Sequence, residues 1–128
     1  MLTRTTETAV RALVCMVNLN SADPISPRKI ASQLGESPTY LAKITRLLVK
    51  ATILRSHRGA HGGVTLYLAP SDISVLSIIE ACQGVFLASY QTENKKQSAS
   101  VFEVKMCQIR CEFATILEKL TLDELILE

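Results

Sequence analysis

Two stretches of the sequence, "SPRKIASQLG" (residues 26–35) and "SPTYLAKITRLLVKA" (residues 37–51), share one local grammar, and together they limit what the chain can fold into. In each, a serine is placed to accept hydrogen bonds from the free amides of a helix start, and a proline suits the first helical position. Gly35 suits the left-handed position that ends the first helix. Only Gly35 and Glu36 separate the two. Leu41, Ile44, Leu47 and Leu48 give the second helix one apolar face, leaving Thr39, Tyr40, Lys43, Arg46 and Lys50 away from it. Two short helices joined this tightly fit a helix-turn-helix, and equally a generic αα-hairpin with no nucleic-acid role.

The flanks favour the first reading. Residues 3–18 place Ala9, Val10, Leu13, Met16 and Val17 at helical intervals, which predicts a preceding helix. Residues 52–57 and 64–69 are short β-favouring runs around "RGAHGG". In the second, Val64, Leu66 and Leu68 alternate with Thr65, Tyr67 and Ala69, so a hairpin ending at Pro70 is expected. Ser74 and Gly84 bracket a further helix whose apolar positions include Val75, Ile78, Ile79 and Cys82. Residues 1–63 carry nine Lys/Arg against three Asp/Glu, and residues 64–128 carry five against nine, so the front half has the electrostatics of a polyanion binder.

The glycine-rich segment at 59–63 invites a second idea, a phosphate cradle. It lacks the following Lys-Ser/Thr of a P-loop, and neither a G-x-S-x-G nor an H-E-x-x-H occurs anywhere, so no enzymatic activity is expected. His57 and His61 have no nearby C-x-x-C and lie on a strand and a loop, which favours a solvent-facing role over zinc binding. With 48% hydrophobic residues, no apolar run of membrane-spanning length and no signal-peptide pattern, the chain reads as a cytoplasmic globular protein without membrane partners.

Residues 85–100 are mostly polar and aperiodic and read as a loop. A last long helix from Val101 carries Phe102, Met106, Ile109, Phe113, Ile116 and Leu120 at alternating spacings of four and three, a heptad-like seam. Val104, Cys107, Cys111 and Ala114 fall on roughly the opposite side. A helix apolar on two sides has to be covered on two sides, and the same helix of a second subunit is the economical cover. Thr121 with Glu124 marks a capping box for a short terminal helix. Four cysteines without framework spacing are expected to be reduced, Cys15 and Cys82 as core residues.

In order and spacing, "LTRTTETAVRALVCM", "SPTYLAKITRLL", "LRSHRGAHGGVTLYLAP", "ISVLSIIEACQG" and "TLDELI" resemble the IscR/NsrR/CymR (Rrf-two) family of bacterial winged-helix regulators. The resemblance implies a homodimeric transcription factor, usually a repressor, with one recognition helix per subunit in successive major grooves of a pseudo-palindromic operator. Ser37, Thr39, Tyr40 and Lys43 match family positions that face DNA. Arg58 and Gly59 match the wing, whose arginine enters the minor groove, while Ala60 and His61 replace a proline and a glycine. Ala42 stands where some relatives have a base-discriminating glutamate.

Several relatives sense iron, nitric oxide or redox state through an iron–sulfur cluster on three cysteines after the wing domain. Here the loop at 85–100 has no cysteine, Cys107 matches the last family cysteine, Glu7 matches a carboxylate ligand and Arg11 replaces a histidine. A set of Glu7, Cys107 and Cys111 is one thiolate short. Three readings of Cys107 and Cys111 therefore stand side by side: buried apolar residues, a thiol switch through an intersubunit bond or adduct, and cluster ligands. The first is favoured and no cofactor is expected.

The expected fold is mainly α with a small β-hairpin: a winged helix-turn-helix over residues 1–84, a loop over 85–100, and a dimerisation helix with a short terminal helix over 101–128. The expected function is sequence-specific binding of double-stranded DNA as a homodimer, under an unidentified small-molecule or protein signal. Arg28, Ser37, Pro38, Thr39, Tyr40, Lys43, Arg46, Arg58, Gly59 and His61 are the candidate contacts. The alternative is a winged-helix protein-interaction module, which need not show the steep salt dependence of a DNA binder.

Overall fold

A computed structural model describes residues 2–84 and 100–126. Among these residues, five helices and one antiparallel hairpin follow in the order α1 (Arg4–Leu19), α2 (Pro27–Leu34), α3 (Pro38–Lys50), β1 (Leu54–His57), β2 (Gly63–Leu66), α4 (Val75–Gln83) and α5 (Val101–Lys119). A 3-10 turn at Pro70–Asp72 precedes α4, and another at Leu122–Leu125 follows α5.

The boundaries follow local chemistry. Ser26 and Ser37 accept from the amides of Lys29 and Tyr40, so each Ser-Pro pair opens a helix as expected. Gly35 closes α2 at φ +70°. Thr3 caps α1 and Asn20 ends it in the left-handed region, at φ 44°. The strands are shorter than the β-favouring runs. Thr52 adopts φ 59° in the turn that ends α3, so pairing starts at Leu54. Beyond Leu66 the Tyr67 amide turns to the Ile53 carbonyl (2.9 Å), and Pro70 starts the 3-10 turn.

The core lies between α1, α2, α3 and α4. Leu13, Ile30, Leu41, Ile44, Leu48, Ile53, Leu54 and Ile78 are fully buried, and each such side chain contributes about 2 kcal/mol by leaving water. Leu122, from the far end of the chain, is buried in the same cluster. It is held there by the Leu122 amide on the Ile73 carbonyl (2.9 Å) and the Val75 amide on the Leu120 carbonyl (2.8 Å).

Helix α5 departs from the symmetric picture of two apolar sides. Ala114 and Leu117 are buried, and Leu117 packs with Val75 and Ile79 of α4, joined by half-buried Phe113 and Leu120. The heptad-like seam therefore splits into two columns. Phe102, Ile109 and Ile116 are exposed, whereas Met106, Phe113 and Leu120 are half-buried, the last two against the chain's own α4. Of the side expected to lie opposite, Ala114 is buried, Cys107 half-buried, and Val104 and Cys111 exposed. The reason is angular: the body of the protein meets α5 between the two predicted faces, on the arc centred near Leu117. Among the described residues, no helix is long and apolar enough to cross a membrane.

Candidate nucleic-acid interface

Helix α3 and the hairpin present one continuous surface. Thr39, Lys43, Arg46 and Lys50 recur at intervals of three and four, so they form one row along the solvent side of α3. All four are exposed, as are Ser37 and Pro38 at the helix start and Arg28 on α2. Between this row and the hairpin runs a cleft of about 580 Å³, with Ala42, Thr45, Arg46 and Lys50 on the helix side and Ser56, His57 and Gly59 on the other. Lys50 and His57 border this cleft although helix periodicity marks Lys50 only as solvent-facing. The Arg46 Nε donates to the Ala42 carbonyl (3.3 Å), laying part of the guanidinium along the helix.

The hairpin is a wing built around its glycines. A Cβ at Gly62 would collide with the His57 carbonyl, and one at Gly63 would sit 2.5 Å from the Ile25 carbonyl oxygen. The second approach exists because Ile25 and Val64 exchange backbone hydrogen bonds of 3.0 and 2.9 Å, which anchor the wing root to the start of α2. The tip turns through the Gly62 amide on the Gly59 carbonyl (3.0 Å). Ala60 and His61 occupy the corner without left-handed backbone, because Gly59 takes the demanding conformation at φ +106°. The replaced proline and glycine therefore leave the tip intact, and Arg58, Gly59 and His61 are all exposed there. Across the strands, His57 Nε2 lies 2.9 Å from the Thr65 hydroxyl, which fixes that ring on the wing.

Tyr40 behaves differently from its neighbours. Its place near the helix start was expected to expose it, but the ring is half-buried and its hydroxyl donates to Thr5 Oγ1 (3.3 Å). The Arg4 guanidinium lies 5.6 Å from the ring centroid. Helix α1 comes close enough to claim the side chain, so Tyr40 points back into its own chain.

The cysteines and Glu7 do not converge. Among the described residues, no three His, Cys, Asp or Glu side chains gather in a way that could hold a metal ion. Glu7 is exposed on α1, while Cys107 and Cys111 stand one turn apart on α5. Burial raises the Cys15 thiol pKa, and it raises that of Cys82 against the opposing hydrogen bond from Thr6. Partial desolvation and then the neighbouring Cys107 thiol push Cys111 upward too. Raised thiols hold their protons at neutral pH, the opposite of what a nucleophilic thiolate needs.

A helix-turn-helix with a basic solvent row, flanked by an arginine-tipped wing, defines a winged-helix DNA-binding transcriptional regulator. The chain matches the Rrf2 family, described as iron-dependent transcriptional regulators, over residues 2–128, and it belongs to that family. It is 29% identical over 119 residues to YwgB of Bacillus subtilis, named as an HTH-type transcriptional regulator, covering 88% of this chain and 76% of YwgB. Its fold is similar to that of CymR, the global cysteine regulator of B. subtilis, with a TM-score of 0.80 at 22% identity over 98% of this chain and 95% of CymR. It is likewise similar to IscR of T. potens, with a TM-score of 0.77 at 26% identity over 98% of this chain and 85% of IscR.

The family description makes iron a question for this chain's own donors. The described residues do not fit an iron–sulfur cluster held within one chain. Cys15 and Cys82 are committed to apolar packing against the core, and Cys107 and Cys111 are the only other cysteines in the sequence.

Proposed function

We propose that this protein is a cytoplasmic repressor that binds a pseudo-palindromic operator as a homodimer. In this reading, residues 1–84 read DNA and 101–128 carry the dimer contact. The observation that carries it is the exposed row Thr39, Lys43, Arg46 and Lys50, set across a cleft from the exposed wing tip at Arg58 and His61. A helix this size enters the major groove, where Lys43 and Arg46 can donate to guanine O6 and N7 or to phosphates. The wing then lies over the adjacent minor groove, whose negative potential attracts Arg58. The phosphate strand between the grooves passes along the cleft. Ser37, Pro38 and Thr39 bring the α3 N-terminus and two hydroxyls to the backbone, and Arg28 adds a flanking charge.

The exposed column Phe102, Ile109 and Ile116 on α5 supports the dimer, because a stripe of large apolar side chains along one helix matches a self-complementary partner. Two recognition helices held about 34 Å apart meet successive major grooves on one side of the duplex. Repression is then steric exclusion of polymerase. A signal that tilts α5 changes that spacing and releases the operator.

The test is selection of duplexes by the purified protein from a random pool, followed by binding at several salt concentrations and light scattering of the free protein. The expected outcome is an enriched inverted repeat, a dimer mass and an affinity that falls steeply with salt. A salt-insensitive protein that enriches no sequence would overturn the proposal.

A further inference from the structure

We propose that the first turn of α1 is a strut holding the start of the recognition helix against the last turn of α4, with Arg4, Thr5 and Tyr40 as positioning residues for DNA reading and Gln83 as their anchor. This rests on the DNA-reading role proposed above for α3.

Four consecutive residues, Thr3 to Thr6, grip two elements. On the α4 side, Gln83 Oε1 accepts from the Thr6 hydroxyl (2.7 Å) and from the Thr3 amide (3.2 Å). Thr3 is also the residue whose hydroxyl caps α1 by accepting from the Thr6 amide (3.2 Å), so the helix start and its attachment to α4 are one structure. On the recognition side, Arg4 Nη2 lies 3.3 Å from both carboxylate oxygens of Glu36, in the connection between α2 and α3. The same guanidinium faces the Tyr40 ring, and the Tyr40 hydroxyl donates to Thr5.

Tyr40 is the third residue of α3, and its amide is the one capped by Ser37 (3.1 Å). Holding its ring and its backbone together fixes the direction in which Thr39 and Lys43 leave the protein. The Arg4 side chain is 77% exposed, so its ion pair is weak, and the strut is a set of small contacts that can yield in concert. A displacement of the last turn of α4 therefore reaches the recognition helix through residues that do not themselves need to touch DNA.

The test uses the duplex that the wild-type protein selects and measures affinity against salt for Thr5→Val, Tyr40→Phe, their double variant, Gln83→Leu and Gln83→Glu. Thr5→Val and Tyr40→Phe should each lose about three- to five-fold in affinity, and the double variant no more than either, because both remove one bond. Gln83→Leu should lose a similar factor, and Gln83→Glu, which keeps an acceptor oxygen, should recover most of it. The slope of log affinity on log salt should stay at the wild-type value, since no phosphate contact is lost. Independently of DNA, the amide resonances of Ser37, Thr39, Tyr40 and Leu41 should shift in Gln83→Leu.

Wild-type affinity in Thr5→Val and Gln83→Leu would overturn the strut while leaving the proposed function standing. So would additive losses with a reduced salt slope in Tyr40→Phe, which would mean that Tyr40 touches DNA directly. Resonance shifts confined to α1 and α4 would also overturn it. A wild-type protein that selects no duplex would overturn the proposed function and, with it, the DNA-reading role of the strut.

Discussion

Gly59 and Gly63 both adopt positive φ, +106° and +153°, but alanine should be tolerated very differently at the two. At Gly59 a Cβ meets nothing within 4 Å, so only the backbone conformation resists, at a cost of about 1 kcal/mol. At Gly63 the Cβ would lie 2.5 Å from the Ile25 oxygen and 2.6 Å from its carbonyl carbon. Ordinary contact needs about 3.5 Å, so the two backbones must part by roughly 1 Å. That lengthens the 2.9 and 3.0 Å bonds between Ile25 and Val64 beyond hydrogen-bonding range. Two lost backbone bonds at about 1 kcal/mol each, with the conformational term, give about 3 kcal/mol for detaching the wing root. Native-state hydrogen exchange reads this directly. The amides of Ile25 and Val64 should exchange about a hundred-fold faster in Gly63→Ala and about five-fold faster in Gly59→Ala. Equal acceleration in the two variants would refute the argument that the wing is held by its root.

Other consequences can be measured separately. Ile109→Glu, on the exposed column of α5, should give monomers of unchanged helix content whose melting temperature no longer depends on protein concentration; a persistent dimer by light scattering would place the interface elsewhere. Phe113→Glu should in addition destabilise the fold, by about 1–3 kcal/mol in urea unfolding, because its half-buried ring packs with Leu117 and Ile79. Arg58→Ala should weaken binding of the selected duplex and lower the salt slope by about one, without altering thermal unfolding. The raised pKa of Cys82 means that its stabilising contribution is fully present below the thiol's ordinary value of 9.0 and is lost as pH rises through the folded value. Wild-type stability should therefore fall more steeply than that of Cys82→Ala above about pH 9, and identical slopes would contradict the assignment.

Local grammar made much of this fold legible. The Ser-Pro starts of α2 and α3 and the stops at Gly35 and Gly84 all rest on chemistry within four residues of the boundary. What depends on distant partners was not readable. Tyr40 turns inward because α1 passes beside it, and position within a helix start carries no such information. Spacing along α5 identified its apolar residues, but Leu117 was passed over in favour of Phe113, Ile116 and Leu120, because a heptad-like count does not say which arc α4 will cover. The wing's arginine and glycines were visible as a motif. The need for glycine at position 63 was hidden, since it arises from Ile25, far away in the sequence.

The clasp that brings the Leu120 carbonyl to the Val75 amide and the Leu122 amide to the Ile73 carbonyl acts as a hinge plate. Helix α5 is bolted at its C-terminal end, while Val101, Phe102 and Val104 at its other end are exposed. From Val101 to Phe113 the helix runs about 18 Å at 1.5 Å per residue, so a tilt of about 10° about the Phe113 contact with α4 swings the far end by roughly 3 Å. Adjustments in packing at the Leu117 contact, too small to disturb the core, thus become displacements comparable to the rise of one DNA base pair.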